Sequence, residues 1–295
     1  MSNKTIVGVD IGGTSINIGL VRGGQLVKKI KCATPAFEAK EVVIKAVIDG
    51  IENISANHEI EGIGIGVPGL LDVHAGIVYD LNNIPSWDEV HLAKAIEEYF
   101  CVTVYLANDA NCFVVGEKVY GEGASYNSIA GISLGTGIGM GFILNNQLHS
   151  GIKSAAGEVG AIPYLFHNYE HYCSGKFFQQ EFGLDGDLVF QRALDGDVVS
   201  KGIFKQFGSH LGHLLKHLMY IMAPEAIFIG GSIKEAFPFF SESMWEVLHT
   251  FPYKRVLDSM VIEKSEMNDI AIMGAAAVYE INACKVEATV QRIAL

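Results

Sequence analysis

The feature that most constrains this chain is a repeat inside it. Residues 5–21, TIVGVDIGGTSINIGLV, read as a β-hairpin. Val7, Val9 and Ile11, then Ile16, Ile18 and Leu20, fall at every second position, and Gly12-Gly13-Thr14 supplies the turn. Residues 128–144, SIAGISLGTGIGMGFIL, repeat the pattern. Laid over the first hairpin, Ser133 falls on Asp10, Gly135 on Gly12, Thr136 on Gly13 and Gly137 on Thr14. One glycine-rich hairpin is as readily a plain turn as a phosphate cradle. Two with matching spacing point to a duplicated α/β domain whose two loops face a shared cleft. Gly12 and Gly13 are expected to take φ > 0, so that their N–H groups can form an anion nest. The first turn is neither a Walker loop nor a GxGxxG leading into a helix.

Between the hairpins lies VYLANDANCFVVGE, Val104–Glu117. An apolar run stops at Asn108 and Asp109, and a helical segment follows. Either residue could cap that helix. Alternatively, Asp109 is a carboxylate at the C-terminal end of a strand, where open α/β sheets bind ligands. Pro68-Gly69 ends the strand-like IGIGVPG, either as a plain turn or as a backbone wall beside a substrate. The loop YDLNNIPSW, 79–87, carries Asn82, Asn83 and Trp87, and is either an Asn-rich turn or a source of amides that suit vicinal hydroxyls. Glu158 sits between glycines in a loop, and Glu170 falls in the first turn of a helix over 169–182, where an acid also suits the helix dipole. Gly230-Gly231-Ser232 ends the apolar strand AIFIGGSI and leads to a helix, a tight βα turn or a nucleotide contact. His210, His213 and His217 share one face of a helix over 199–222; with no acid or cysteine beside them, a packed or solvated face is expected rather than a metal site.

The bulk composition narrows the partners. At 295 residues the chain can build two domains, and 49% hydrophobic with 18% charged residues makes it globular. A net charge of −12 argues against nucleic acid or an anionic membrane as the main partner. Five scattered cysteines without a CxxC suit free thiols in a reducing compartment. No apolar run reads as a signal peptide or a transmembrane helix, so the expectation is a cytoplasmic protein.

Taken together, VDIGGT at 9–14, GIGVPG at 64–69, NIPSW at 83–87, NDAN at 108–111, SLGTGIGMG at 133–141, AAGEVG at 155–160 and IGGS at 229–232 resemble the ROK family, which holds repressors and sugar kinases of the superfamily shared with actin and heat-shock chaperones. The resemblance covers nearly the whole chain. It implies a two-domain, ribonuclease-H-like (actin/hexokinase-type) ATPase fold with an inter-domain cleft. The small domain would be residues 1–107, with a helix at about 279–295 returning to it, and the large domain 108–278. The implied activity is ATP-dependent phosphorylation of a hexose at its 6-hydroxyl, glucose or a close relative. The alternatives are a β-glucoside kinase, an N-acetylmannosamine kinase, or a sugar sensor without catalysis.

By the same resemblance Asp109 matches the catalytic aspartate. Asp10 would hold Mg²⁺ through water. Gly12, Gly13 and Thr14, with Gly135, Thr136 and Gly137, would cradle the phosphates of ATP, and Gly230 and Gly231 would lie near the adenosine. Gly69, Asn83, Asn108, Asp109, Glu158 and Glu170 would bind the sugar. A homodimer is implied. The chain departs from the family in two ways. The hairpin begins almost at Met1, so the repressors' DNA-binding domain is not expected. Where many members carry a His and a cysteine-rich zinc loop, this chain has Ala161 and the cysteine-free IPYLFHN, so no structural zinc is expected. Tyr164, Leu165, Phe166 and Tyr169 are expected to form an apolar plug in its place.

Overall fold

The computed structural model describes residues 4–293, with side chains in the last helix only as far as Cys284. Residues 294 and 295 of the helix expected at 279–295 lie outside the described residues. The chain divides into two compact units. The first runs to Ala124 and takes in Leu148–Ala156 and the chain from Met267; the second holds Ser125–Gln147 and Gly157–Glu266.

The first unit is built on β1 (Thr5–Ile11), β2 (Ser15–Arg22), β3 (Gln25–Ala33), α1 (Lys40–Ser55), β4 (Gly62–Val67), the short strands β5 (Leu70–Asp72), β6 (Ile77–Tyr79) and β7 (Glu89–Val90), α2 (Leu92–Phe100), β8 (Thr103–Asn108) and α3 (Asp109–Tyr120). The second holds β9 (Ile129–Leu134), β10 (Ile138–Leu144), β11 (Gln147–Leu148, at its edge), β12 (Pro163–Tyr164), β13 (His167–Asn168), α4 (Tyr169–Tyr172), α5 (Gly175–Phe182), α6 (Gly186–Leu194), α7 (Val198–Ile221), β14 (Ala226–Gly230), α8 (Phe237–Leu248), α9 (Lys254–Leu257) and β15 (Val261–Lys264). The final helix, α10 (Ile270–Ile293), belongs to the first unit.

The repeat read from the sequence is a repeat of topology. One sheet runs β3-β2-β1-β4-β8 and the other β11-β10-β9-β14-β15. In each, a meander is extended by two parallel strands that need a crossover. Asp10 pairs in parallel with Gly66, and Ser133 with Gly230, so the two positions are equivalent in space. The match stops at the turns. Ile11 pairs with Ile16 but Leu134 with Ile138, so the second turn is one residue shorter.

The turn glycines act differently from expectation. Neither Gly12 nor Gly13 has positive φ. A Cβ at Gly13 would lie 2.7 Å from the Cβ of Asn83. The glycine is needed because the asparagine loop packs onto the hairpin, and no left-handed backbone is involved.

The boundary expected at 107/108 falls inside the first unit, because α3 docks on α10. A Cβ at Gly274 would sit 1.8 Å from the Cys112 carbonyl oxygen, and one at Gly116 would be 2.7 Å from the Ile270 side chain. The helix also lies on the sheet, where a Cβ at Gly64 would be 1.8 Å from the Ala275 carbonyl oxygen. Backbone cannot yield as a flexible side chain can. Gly274→Ala therefore sets a helix-propensity gain of about 1 kcal/mol against overpacking of about 3 kcal/mol. Overpacking wins, and a thermal melt should show the midpoint lowered by several degrees. An unchanged or raised midpoint would mean that α10 is not seated on α3.

In the second unit the helix expected over 169–182 is two helices. Asn168 caps α4 by accepting from His171 N, and Ser174 caps α5 by accepting from Lys176 N. The expected aromatic plug is half right. Tyr169 is fully buried and stacks on Tyr164 at 4.3 Å. Leu165 and Phe166 are 63% and 93% exposed, because they form the tip between β12 and β13, where Leu165 has φ +52. Tyr172 and the α7 histidines take their place. The Tyr164 hydroxyl is 3.2 Å from His210 Nδ1 and that of Tyr169 is 2.6 Å from His217 Nδ1. Burial lowers the pKa of His210 and His213. The histidine face is thus packed against tyrosines. Among the described residues no group of three or more His, Cys, Asp or Glu is placed to hold a metal ion, and no helix is long and apolar enough to cross a membrane.

Candidate functional site

In the first unit the candidate residues gather at the C-terminal ends of β1, β4 and β8. Asn108 is the last residue of β8 and caps α3, its Oδ1 accepting from Ala110 N at 3.0 Å. Its Nδ2 donates to the Gly69 carbonyl at 3.2 Å, which joins the Pro68-Gly69 turn to the strand end. Gly69 has φ +82, a conformation that favours glycine. Asp109 is the first residue of α3, and its Oδ1 also accepts from Ala110 N, at 2.8 Å. The two readings of this motif therefore divide between neighbours: Asn108 supplies the cap, and Asp109 need not.

Burial raises the Asp109 pKa, against which the Ala110 N–H and its own backbone N–H act. Asp10 rises to about 6, first through burial, with the Asn17 hydrogen bond opposing and the Asp109 charge adding. Asn17 Nδ2 donates to Asp10 Oδ2 at 3.1 Å. Asn17 was missed in the sequence, yet hairpin register alone sets it opposite Asp10. Buried Asn111 was missed too; its Oδ1 has no hydrogen-bond partner. The carboxylates of Asp10 and Asp109 are hard oxygen donors of the kind that suit Mg²⁺, and burial keeps the Cys112 thiol beside them protonated.

The sign of the Asp10 shift gives a test. Its pKa is raised in the fold, so the stability it contributes is present below its unfolded value of 3.8 and is lost as pH rises through about 6. Full ionisation costs at most about 3 kcal/mol, since one pKa unit is 1.36 kcal/mol. Asp10→Asn should raise the melting midpoint of metal-free protein at about pH 8 and give no gain near pH 4. Equal shifts at both pH values would show that the Asp10 charge does not destabilise the fold.

In the second unit, Gly135–Gly137 is closed by a hydrogen bond from Gly135 N to the Gly137 carbonyl, 3.0 Å. Gly231 has φ +80 and packs where a Cβ would meet the Leu134 carbonyl oxygen at 2.2 Å. Ser232, one residue on, lies over Gly135. A cavity of about 370 Å³ opens here, lined by Gly135, Thr136 and Ser232, by Phe178, Phe190 and Phe204, and by the charged Lys176, Asp185 and Asp187. A polar turn beside apolar walls fits a nucleotide, with phosphates on backbone amides and a base among aromatic rings. The walls come from α5, α6 and α7, which no local motif announces. Glu170 is held close to the turn: a Cβ at Gly137 would be 2.8 Å from its Oε2. Exposed Glu158 precedes the short helical turn 159–161, where a Cβ at Gly160 would be 3.3 Å from that of Glu170. The candidate sugar residues thus fall on both units: Gly69, Asn83, Asn108 and Asp109 on the first, Glu158 and Glu170 on the second.

Two sheets of the same order, each closed by a glycine-bearing turn, define an α/β protein of the ribonuclease-H-like, actin/hexokinase-type fold. Residues 6–281 match the ROK family, and the chain belongs to it. A glucokinase of Thermotoga maritima is 28% identical, covering 94% of this chain and 98% of its own length. A β-glucoside kinase of Klebsiella pneumoniae is also 28% identical, covering 94% and 96%. The crystal structure of a ROK family glucokinase from Streptomyces griseus in complex with glucose and AMPPNP superimposes with a TM-score of 0.78 at 25% identity, covering 92% of this chain and 98% of that one.

Proposed function

We propose that this sugar kinase transfers the terminal phosphoryl group of ATP to the 6-hydroxyl of a hexose, glucose or a close relative. The observation that carries the reading is Asp109, a half-buried carboxylate at a strand end whose cap is supplied by Asn108. Its raised pKa suits a base that takes the hydroxyl proton as the oxygen attacks phosphorus. Proton acceptance contributes about 10²–10⁴-fold, and positioning with charge neutralisation supplies the rest. Asp10 would hold Mg²⁺ through water, and the ion supplies charge neutralisation on the phosphates. Gly12, Gly13, Thr14, Gly135, Thr136 and Gly137 offer backbone and hydroxyl groups to the phosphates, and Gly230 and Gly231 lie on the adenosine side. Gly69, Asn83, Asn108, Glu158 and Glu170 orient the sugar so that its 6-hydroxyl meets Asp109. The likeness to the glucokinases favours glucose, and the Klebsiella relative keeps β-glucosides in view. N-acetylmannosamine is the other alternative. We propose a cytoplasmic homodimer without structural zinc.

A coupled ADP-release assay across glucose, mannose, fructose, N-acetylhexosamines and cellobiose tests the reading. Sugar-stimulated ADP release is expected, with glucose among the best acceptors. Sugar binding without turnover of any of them would make the chain a sensor.

A further inference from the structure

Lys176 stands between two cavities of the second unit. One is the cavity bounded by Gly135, Thr136 and Ser232; the other, of about 420 Å³, is lined by Glu170, Asn168, His167 and His171. Its ammonium is paired with Glu170. Its backbone is fixed against the turn through the preceding residue, Gly175. Gly175 N donates to the Gly135 carbonyl at 2.7 Å, and a Cβ at Gly175 would come within 3.1 Å of that oxygen. Ser174 Oγ accepts from Lys176 N and donates to the Glu170 carbonyl, which ties the lysine to the carboxylate it pairs with.

This arrangement sets an electrostatic problem. The Glu170 carboxylate lies beside Gly137, at the turn proposed to receive a triphosphate. An unneutralised carboxylate there would repel the nucleotide. Lys176 is the cation that neutralises it, and its side chain borders the nucleotide cavity as well. A lysine ammonium is a compact charge on a flexible stem, so it can change partner while its backbone stays in place.

We propose that Lys176 is a ligand of the nucleotide phosphates, held by Glu170 until ATP arrives. Bound ATP draws the ammonium to its phosphate oxygens, and a sugar hydroxyl donating to Glu170 takes over the carboxylate the lysine leaves. The pair thereby couples the two substrates: each makes the other's partner available. The inference rests on the reading of the chain as an ATP-dependent kinase.

The test uses Lys176→Met and Lys176→Arg. Both should fold, because a half-exposed ion pair adds little to stability. Loss of one charge-assisted hydrogen bond should raise the KM for ATP about tenfold or more in Lys176→Met. Adenosine affinity, measured by competition, should stay within about twofold, since adenosine carries no phosphate. Lys176→Arg should recover most of the ATP affinity by keeping the charge. An unchanged ATP KM in Lys176→Met overturns the proposal, as does a loss of adenosine affinity equal to that of ATP, which would make the lysine a wall of the cavity. If ATP binding depends on Lys176 but the wild-type chain releases ADP with no sugar, the phosphate ligand stands and the kinase reading falls.

Discussion

Asp109→Asn is expected to leave the fold and sugar binding intact and to lower kcat by about 10²–10⁴-fold, the range a general base contributes. The geometry separates catalysis from folding at this residue. Asn108 Oδ1 already accepts from Ala110 N, so α3 keeps its cap when Asp109 changes. The substituted amide has the same shape and keeps an oxygen that can accept from the same N–H. It also removes a half-buried charge whose pKa desolvation has raised, so stability at neutral pH should hold or rise. The measurements are ADP release at saturating substrates, sugar binding by titration, and a thermal melt. The wild-type kcat/KM should also fall on the acid side as the carboxylate takes up a proton, and the variant's residual activity should lack that limb. Near wild-type turnover in the variant would remove Asp109 from the chemistry. A variant that failed to fold would return it to the helix cap.

The sequence made the local pattern legible and the non-local packing much less so. Alternating apolar residues placed both hairpins, and the superposition of Ser133 on Asp10 holds in the parallel pairings with Gly230 and Gly66. The turns were misread in detail. Gly13 is dictated by the approach of Asn83, seventy residues away in sequence, and a hairpin pattern carries no trace of that contact. The unit boundary was hidden for the same reason, since it depends on α10 seating its Gly274 on Cys112. Leu165 and Phe166 look like core and are not, because a two-residue tip between β12 and β13 turns them outward. Asp109 is legible as a candidate because a strand end and a helix start coincide there. Lys176 is not, because the role proposed for it depends on what α5 is packed against.

Gly135→Val is expected to raise the KM for ATP by about 10–100-fold, the loss of a charge-assisted hydrogen bond or two, while the KM for sugar stays within about twofold. This position separates ligand effects from folding effects better than the other loop glycines. At Gly231 a side chain would meet the Leu134 carbonyl and strain a backbone at φ +80. At Gly137 it would strike Glu170 and disturb the sugar side. At Gly135 the nearest atom to an added Cβ is Ser232 Oγ, at 3.8 Å, an ordinary contact, and φ is not positive. The turn keeps its bonds from Gly135 N to the Gly137 carbonyl and from Gly175 N to the Gly135 carbonyl, because both use backbone alone. A branched side chain would then fill space beside the cavity where phosphates are proposed to approach the amides. Steady-state kinetics with each substrate varied in turn, beside a thermal melt, decide the matter. A selective rise for ATP with an unchanged melt supports the phosphate turn. Equal rises for both substrates with a lowered melt would show that Gly135 serves the fold, and the assignment of the second hairpin to ATP would fail with it.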